Sequence, residues 1–304
     1  MLSILIPTYN YNVFPLVETL YMQCLESNII FEIICLDDAS HDFLIQNHEI
    51  NRLKNTSYIV LEQNIGRSAI RNLLGQKANF ENLLFLDADT IPVHDNFITN
   101  YLSLINNEEK IIYGGILYAT QKPPKEQILR WVYGKNREAL SYEKRRRNPY
   151  LSFLTLNFLI QKSVFEKVTF NESIPNLRHE DTLFSYNLMQ KDIKVDHIDN
   201  PVYHYGLDDF EVAIRKEKES LSALKYLIDN RLLPPDYVRI SKLLSKIKKF
   251  NLIPALAFFH NTTRFVFLKN LKSKNPSLYI FDLYRLGYLA KLENKSISKA
   301  QSVF

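Results

Sequence analysis

The stretch Leu83-Leu84-Phe85-Leu86-Asp87-Ala88-Asp89-Thr90 passes from four apolar residues directly into two carboxylates. A short apolar run of this kind is typical of a buried strand, which is expected to end before Asp87. Because side chains two residues apart on a strand point the same way, Asp87 and Asp89 are expected to converge on one ligand. Two close carboxylates repel each other, so a cation between them is one prediction. The alternative is a polar turn in which Asp89 or Asp95 caps the next helix.

The length and composition of the chain indicate a globular protein. It has 304 residues, of which 46% are hydrophobic and 23% are charged, which suits one large domain with an appendage or two modest domains. Its two cysteines, Cys24 and Cys35, lie in apolar contexts and are expected to be reduced core residues of a cytoplasmic protein. Met1-Leu2-Ser3 leads into a predicted strand without a basic region, and no stretch of 18 apolar residues occurs. We therefore expect neither a secretory signal nor a membrane span.

The net charge of +5 is unevenly distributed along the chain. Residues 241–304 carry 12 Lys and Arg against 2 Asp and Glu, and the lysines between 242 and 249 alternate with apolar residues. This pattern predicts a basic surface that contacts an anionic membrane through residues 241–274, and hence a place at the inner face of the cell membrane. The alternatives are a helical subdomain packed on the rest of the protein and a contact between copies in a homo-oligomer. We predict no nucleic-acid partner, because no recognition motif occurs.

Strands and helices are predicted to alternate over the first 90 residues, which favours an α/β fold with a parallel sheet. The predicted strands are 2–6, 31–36, 57–61 and 83–86. Ligands bind at the carboxyl ends of the strands in such sheets. A polar cluster follows each strand, so these clusters are expected to line one pocket: Thr8-Tyr9-Asn10, Asp37-Asp38, Asn64-Ile65-Gly66-Arg67 and Asp87-Ala88-Asp89. No GxGxxG or GxxxxGK[ST] signature occurs, so a dinucleotide dehydrogenase or a P-loop enzyme is not expected.

The middle of the chain is predicted to complete the sheet. A strand is expected over 111–118, where the pair Gly114-Gly115 marks a bulge or the close approach of a ligand or another backbone. Residues 119–150 are predicted to form either a lid over the pocket or a solvated, charged segment ending in Lys144-Arg145-Arg146-Arg147. Asn157 begins another strand, a helix starts near Glu180-Asp181, and a further strand covers 195–198.

The last part of the chain is predicted to be largely helical. Helices are expected at 210–230, 241–251, 258–269 and 278–290, and the last two are rich in aromatic residues.

Taken together, the motifs resemble those of a family 2 glycosyltransferase with a GT-A fold, a mixed, mainly parallel sheet flanked by helices. The resemblance covers roughly residues 2–206. It rests on the strand-end clusters and on Ala69-Ile70-Arg71-Asn72, Phe170-Asn171-Glu172, Glu180-Asp181 and Val202-Tyr203-His204. It implies a catalytic domain over 1–206, with a nucleotide-binding half at about 1–110 and an acceptor half at about 111–206, followed by a basic helical region at 207–304.

The resemblance also implies a role for each motif residue. A nucleotide-sugar donor, typically UDP-linked, would contact the side chains or backbone of Pro7, Thr8, Tyr9, Asp38, Gly66, Arg71, Asp87 and Ala88. Asp89 and His204 would bind Mn²⁺ or Mg²⁺, which would also bridge the diphosphate. Asp181 matches the general base that activates an acceptor hydroxyl, and direct displacement would invert the anomeric centre. Gly115, Asn157 and Glu180 are the predicted contacts of a glycan or lipid-linked acceptor.

The chain departs from the family pattern at two points. Asn171 stands where Asp is usual, which is expected to change local capping, and the Gln-X-X-Arg-Trp site of processive synthases is absent after Asp181. A single-addition enzyme of polysaccharide biosynthesis is therefore favoured. The alternative function is a catalytically silent GT-A module that binds a glycan or a partner, although such a module is expected to have lost Asp89 or Asp181. A sugar-phosphate nucleotidyltransferase is disfavoured, because Pro7-Thr8-Tyr9-Asn10 is not glycine-rich.

Overall fold

The computed structural model describes residues 1–106, 108–175 and 178–301, with side chains up to Ser296. Some parts of the predicted regions lie outside the described residues. Among them are residues 302–304, at the end of the predicted C-terminal region, and residues 176 and 177, in the predicted acceptor half. The strands of the described chain are β1 Leu2–Thr8, β2 Phe31–Asp37, β3 Thr56–Val60, β4 Asn82–Leu86, β5 Thr90–Pro92, β6 Lys110–Tyr113, β7 Ile116–Leu117, β8 Asn157–Gln161, β9 Lys194–His197 and β10 Val202–His204.

The helices of the described chain lie between and after these strands. They are α1 Phe14–Glu26, α2 Leu44–His48, α3 Gly66–Lys77, α4 Phe97–Leu102, α5 Ile128–Tyr133, α6 Tyr142–Arg146, α7 Lys162–Lys167, α8 Glu180–Gln190, α9 Phe210–Asp229, α10 Arg239–Lys249, α11 Ile253–Leu271 and α12 Leu278–Gln301. Short 3₁₀ turns cover Glu49–Arg52 and Lys125–Gln127, and a π-helical turn covers Gly134–Glu138.

Seven strands form the main sheet in the order β3-β2-β1-β4-β8-β6-β9. The first four strands of this order run parallel, as the alternation of strands and helices predicts. β8 is antiparallel to both β4 and β6, whereas β9 is parallel to β6. The sheet is therefore mixed and mainly parallel, and the carboxyl ends of β1, β2 and β4 lie side by side.

β4 is the apolar run with which the sequence analysis began, and it lies at the centre of the sheet. Leu83, Leu84, Phe85 and Leu86 are all buried, as expected of a strand covered on both faces. The Phe85 ring stacks on Phe158 of β8 with ring centroids 4.9 Å apart. β4 ends before Asp87, and the short strand β5 begins at Thr90. The alternative in which Asp89 or Asp95 caps a helix is wrong, because the next helix, α4, starts only at Phe97 and has no side-chain cap.

A second sheet of three short strands has the order β5-β10-β7. β5, β10 and α4 were not predicted from the sequence. The strand predicted over 111–118 is split into β6 and β7 by the two glycines, so that each half joins a different sheet. A Cβ at Gly114 would lie 2.3 Å from the backbone oxygen of Asn200. Another backbone therefore approaches closely at this point, which is one of the alternatives that the glycine pair predicted.

The chain divides into two compact units. The first unit is Met1–Ala119, Arg137–Asn176 and Glu180–Gly206, and the second is Thr120–Asn136, Leu177–His179 and Leu207–Phe304. All ten strands of the described chain belong to the first unit. The second unit has a core of its own, formed by Leu129, Phe210, Ile214, Leu271, Phe281 and Tyr284. The assignment of a catalytic domain to 1–206 and a separate region to 207–304 stays a prediction.

Two further features concern membrane spans and thiols. None of the helices in the described part of the chain is both long enough and apolar enough to cross a membrane. Cys24 and Cys35 are buried free cysteines, as predicted. Burial raises the pKa of the Cys24 thiol to about 12 and raises that of Cys35 as well. Both thiols are therefore inert core groups.

Candidate active site

An open cleft lies at the carboxyl ends of β1, β2 and β4 in the first unit. It encloses about 690 Å³, including space open to solvent. All of the predicted donor-binding residues except Gly66 lie on its wall, together with Asp89 and with three residues that were given no role from the sequence, Tyr11, Arg67 and Ile70. The lining residues are Pro7, Thr8, Tyr9, Tyr11, Asp38, Arg67, Ile70, Arg71, Asp87, Ala88 and Asp89.

The loops after β1 and β2 are tied to each other at one end of the cleft. The backbone N–H of Asp38 donates to the Thr8 carbonyl at 2.9 Å, and the backbone N–H of Asn10 donates to Ser40 Oγ at 2.7 Å. Asn10 has a φ of 48°, a left-handed conformation that asparagine tolerates better than most residues. Tyr9 next to it is 52% exposed, so its ring is available to a ligand.

The Thr8 hydroxyl is buried at the wall of the cleft. Thr8 is only 3% exposed, and its Oγ1 has no hydrogen-bond partner among the described residues. Buried polar atoms are nearly always satisfied by the protein, by water or by a ligand. A polar group of a bound ligand would satisfy this hydroxyl.

Asp38 has a structural role that the sequence analysis missed. Its Oδ1 accepts from the backbone N–H of Ile65 at 2.7 Å, and its Oδ2 accepts from the N–H of Gly66 at 3.0 Å. Gly66 has a φ of 84° and begins α3. The carboxylate of Asp38 therefore binds the free N–H groups at the start of α3, where negative charge is favoured. A carboxylate oxygen accepts more than one hydrogen bond, so Asp38 keeps acceptor capacity on the side of the cleft.

Arg71 of α3 is buried and faces the acids of the cleft. Its Nη2 lies 2.7 Å from Asp87 Oδ1, and its Nη1 lies 3.9 Å from Glu180 Oε1. Burial alone would lower the pKa of Arg71, but Asp87 and Glu180 raise it above the ordinary value. Burial raises the pKa of Asp87, Arg71 opposes this shift, and the nearby Asp89 adds to it. The two acids are thus close enough to influence each other, and their convergence on one ligand stays a prediction.

The second sheet brings His204 next to Asp89. In the antiparallel pair of β5 and β10, Thr90 lies opposite His204. His204 Nε2 is 3.3 Å from Asp89 Oδ2, and the backbone N–H of Tyr205 donates to the Asp89 carbonyl at 2.8 Å. Gly206 leaves the space that Asp89 occupies, because a Cβ there would lie 1.8 Å from Asp89 Oδ2. The resemblance implied that both residues bind a metal, which stays a prediction, and the strand pair that joins them was not predicted from the sequence.

The donor atoms of Asp89 and His204 suit a divalent metal that is shared with a ligand. Carboxylate and imidazole are common ligands of transition metals such as Mn²⁺, whereas Mg²⁺ is usually held by one or two carboxylates and by substrate phosphates. Nowhere in the described ranges do three or more His, Cys, Asp or Glu side chains form a metal site. The protein residues therefore fit a metal only if a ligand such as a diphosphate supplies further oxygens.

The predicted general base lies at the start of α8. Asp181 Oδ1 accepts from the backbone N–H of Thr182 at 2.7 Å. Burial, together with the neighbouring carboxylate of Glu180, raises the pKa of Asp181 to about 6. Glu180 in turn lies 4.0 Å from Arg67 Nη1 as well as near Arg71. These two arginines therefore link the start of α8 to the wall of the cleft.

Gly115 and Asn157, which were predicted to contact an acceptor, are both buried and have structural roles. The Asn157 amide donates to the carbonyls of Gly115 at 2.9 Å and Asn200 at 3.0 Å. Gly115 has a φ of 93°, and a Cβ there would overlap the Arg145 guanidinium. Arg145 itself is buried and donates to the Ile198 carbonyl at 2.6 Å. The Arg145 side chain is therefore not solvated, although Lys144 and Arg146 beside it in α6 are exposed. Contact of Gly115 or Asn157 with an acceptor stays a prediction.

The sequence held some signal for the residues that were missed. Gly206 is one of only seven glycines in the chain, and the rarity of glycine is a reason to ask what each one does. Arg67 follows Gly66 directly, in one of the polar clusters at the strand ends. Tyr11, in contrast, carries no pattern that separates it from the other 17 tyrosines of the chain.

Comparisons of the sequence with known proteins find glycosyltransferases. The family model described as glycosyl transferase family 2 matches residues 3–169. An uncharacterized glycosyltransferase of Haemophilus influenzae is 24% identical over 229 residues, which span 74% of this chain and 83% of the relative. The putative glycosyltransferase EpsH of Bacillus subtilis is 25% identical over 240 residues, which span 71% of this chain and 64% of the relative.

Solved structures show the same fold. The mannosyltransferase PcManGT of Pyrobaculum calidifontis, in complex with GDP-Man and Mn²⁺, superposes with a TM-score of 0.54 at 14% identity, over 96% of this chain and 86% of that one. S. aureus TarS 1–349 in complex with UDP-GlcNAc gives a TM-score of 0.51 at 18% identity, over 96% of this chain and 92% of that one. These likenesses confirm the predicted GT-A fold.

Proposed function

The chain belongs to glycosyl transferase family 2, and we propose that it moves a sugar from a nucleoside diphosphate sugar to a hydroxyl group of a glycan or lipid-linked acceptor, with inversion. One observation carries this proposal: the loops after β1, β2 and β4 place an unsatisfied hydroxyl, an exposed aromatic ring and three acids around a single cleft. Each of these groups is of a type that binds one part of a nucleotide. The base is aromatic, the ribose has hydroxyls, and the diphosphate binds metal.

The nucleoside is proposed to occupy the side of the cleft formed by Thr8, Tyr9 and Asp38. The Tyr9 ring would stack on the base, and the Thr8 hydroxyl and the Asp38 carboxylate would form hydrogen bonds with it. Two structural neighbours are complexes with UDP-GlcNAc and GDP-Man, and we favour a UDP-sugar for this chain. Asp87, oriented by Arg71, would accept a hydrogen bond from a ribose hydroxyl.

Asp89 and His204 are proposed to hold a divalent cation together with the diphosphate. When bound, Mn²⁺ or Mg²⁺ would neutralise the charge that develops on the leaving nucleoside diphosphate. The contribution of the chain is to hold the Asp89 carboxylate and the His204 imidazole at one point, through the β5–β10 pair and the space left by Gly206.

Asp181 is proposed to be the general base. The acceptor oxygen would form a bond to the anomeric carbon while the bond from that carbon to the diphosphate oxygen breaks on the opposite face. The proton of the acceptor hydroxyl would pass to the Asp181 carboxylate, and the bonding electrons would leave with the diphosphate. This single displacement inverts the anomeric centre. Glu180, which lies next to Asp181 and within reach of two arginines, is proposed to position the acceptor.

The rate of transfer should depend on pH through Asp181. A carboxyl with a pKa of about 6 is protonated below that pH and cannot accept the acceptor proton. We therefore expect kcat/KM to be level above pH 6 and to fall about tenfold for each further pH unit below it. Initial rates over a series of buffers, at fixed metal and donor concentrations, measure this profile. A profile that stays level down to pH 4.5, roughly the ordinary range of a carboxyl group, would contradict the role of Asp181.

The proposed function is tested by ligand-dependent stabilisation. We expect Tm to rise with UDP-sugars in the presence of Mn²⁺ or Mg²⁺, and the rise to disappear with a chelator. A ligand at 100 times its Kd stabilises the folded protein by about 2.7 kcal/mol, which is readily measured. A panel of UDP-, GDP- and dTDP-sugars with a matched panel of nucleoside monophosphates identifies the donor. If no nucleotide raises Tm with metal present, the proposal fails.

A further inference from the structure

Helix α11 is apolar on two opposite faces. Its inner face belongs to the second unit, where Ala257, His260 and Leu271 are buried. His260 packs so closely on α12 that a Cβ at Gly287 would lie 2.7 Å from His260 Cβ. The outer face of a helix on a soluble domain is normally polar. The outer face of α11 instead combines exposed polar residues, Asn261 and Thr262, with large apolar side chains.

The outer face of α11 exposes large apolar side chains at helical spacing. Phe258 is 70% exposed, Phe265 is 68% exposed and Val266 is 69% exposed. Exposed apolar residues also lie at the end of α10 and in the turn after it. Together these residues are called the α10–α11 surface: Leu243, Phe250, Leu252, Phe258, Phe259, Phe265 and Val266. A concentration of exposed apolar groups of this kind marks an interaction site.

The charge around the α10–α11 surface has one sign. Residues 241–274 contain eight Lys and Arg and no Asp or Glu. Lys248 and Lys272 pair with Glu293 and Glu211, which lie outside this segment. Within the part of the chain that the structure describes, Lys242, Lys246, Lys249, Lys269 and Lys274 are exposed and pair with no carboxylate. Exposed aromatic residues are therefore combined with unpaired lysines on the same segment.

We propose that the α10–α11 surface docks the second unit onto an anionic lipid surface. The phenylalanines would enter the interface between headgroups and acyl chains, and the lysines would bind the acidic headgroups. A second copy of this chain is disfavoured as the occupant, because a symmetric contact would bring two uniformly positive segments together. The sequence analysis expected the membrane contact from the lysines of α10. The exposed aromatic face of α11 is the new observation, and it does not depend on the proposed function of the cleft.

Flotation of the full-length chain with vesicles tests this proposal. We expect binding to vesicles of phosphatidylcholine mixed with phosphatidylglycerol, much weaker binding to phosphatidylcholine alone, and loss of binding at high salt. The apolar variant Phe258→Ser with Phe265→Ser should lower the partition coefficient on anionic vesicles at least about tenfold. The charge variant Lys242→Gln, Lys246→Gln and Lys249→Gln should lower it roughly 100-fold, since each lysine near the surface contributes about a factor of five.

A matched control removes exposed apolar side chains elsewhere. Ile30 is 64% exposed and Ile45 is 82% exposed, and both lie outside the α10–α11 surface. The variant Ile30→Ser with Ile45→Ser should bind vesicles like the original chain, and all variants should keep its Tm. No binding by the original chain, equal binding to both vesicle types, or equal loss in the control would each overturn the proposal. So would a dimer, seen by light scattering without lipid, that the apolar variant dissociates.

Discussion

Asp181→Asn is expected to lower kcat by roughly 10²–10⁴-fold, the range that a positioned general base contributes. Asparagine has nearly the same shape as aspartate and can still accept the hydrogen bond that Asp181 Oδ1 receives from Thr182. The substitution therefore removes proton transfer without removing that local contact. Donor binding should change little, because the donor contacts proposed above lie on the loops after β1, β2 and β4.

This expectation is tested by steady-state rates together with calorimetric titration of the donor nucleotide in the presence of metal. Asp192→Asn is a suitable control, since Asp192 is an exposed carboxylate just after the other end of α8. Its φ of 55° is one that asparagine adopts readily. The control should keep normal rates. Normal turnover by Asp181→Asn, or a loss of donor affinity as large as its loss of rate, would mean that the base is another residue.

Gly206→Ala is expected to remove metal-dependent nucleotide binding, although Gly206 has no side chain that could contact the ligand. The new Cβ would lie 1.8 Å from Asp89 Oδ2 and 3.3 Å from His204 Cε1, so the carboxylate must move away. A bound cation supplies several kcal/mol to the transition state, so kcat/KM should fall at least about 100-fold. The steric conflict should also lower the free energy of unfolding by about 1–3 kcal/mol.

A double-mutant cycle separates this steric effect from a general loss of structure. Asp89→Ala alone should abolish the metal-dependent rise in Tm on adding nucleotide. In the Asp89→Ala background, Gly206→Ala should cost little further stability, because the oxygen that it displaces is gone. Denaturant unfolding of the four proteins gives the coupling energy. Additive losses of stability would show that Gly206→Ala acts on something other than Asp89.

Some of the fold could be predicted because local sequence determined it. The apolar run at 83–86 is buried on both faces of a sheet, and only a central strand satisfies that environment. The positions of Asp38, Asp87 and Asp89 follow from the same reasoning, since Asp38 and Asp87 come directly after a strand and Asp89 follows two residues later. The seven-stranded order, with antiparallel β8 between β4 and β6, is set by long-range pairing that no local pattern records.

The parts that sequence could not predict depend on contacts between distant segments. β5 and β10 have only three residues each, too few to show a period, yet their pairing brings His204 next to Asp89. Arg145 lies in a run of four basic residues, and nothing local indicates that its side chain is buried against the Gly114-Gly115 turn while its neighbours stay in water. The outer face of α11 is a similar case. Its aromatic residues predicted a helix, but not which of them would stay exposed.

The two hydrogen bonds from the start of α3 to Asp38 have a consequence for engineering donor selectivity. Asp38 would serve the base and also hold the backbone of Ile65 and Gly66. Replacing Asp38 to accommodate another base would therefore disturb the start of α3, the helix that carries Arg71. A change in donor selectivity could then not be separated from a loss of local structure. Tyr9 makes no such backbone contact and is half exposed. Libraries that aim to change the accepted nucleotide should vary Tyr9 and leave Asp38 intact.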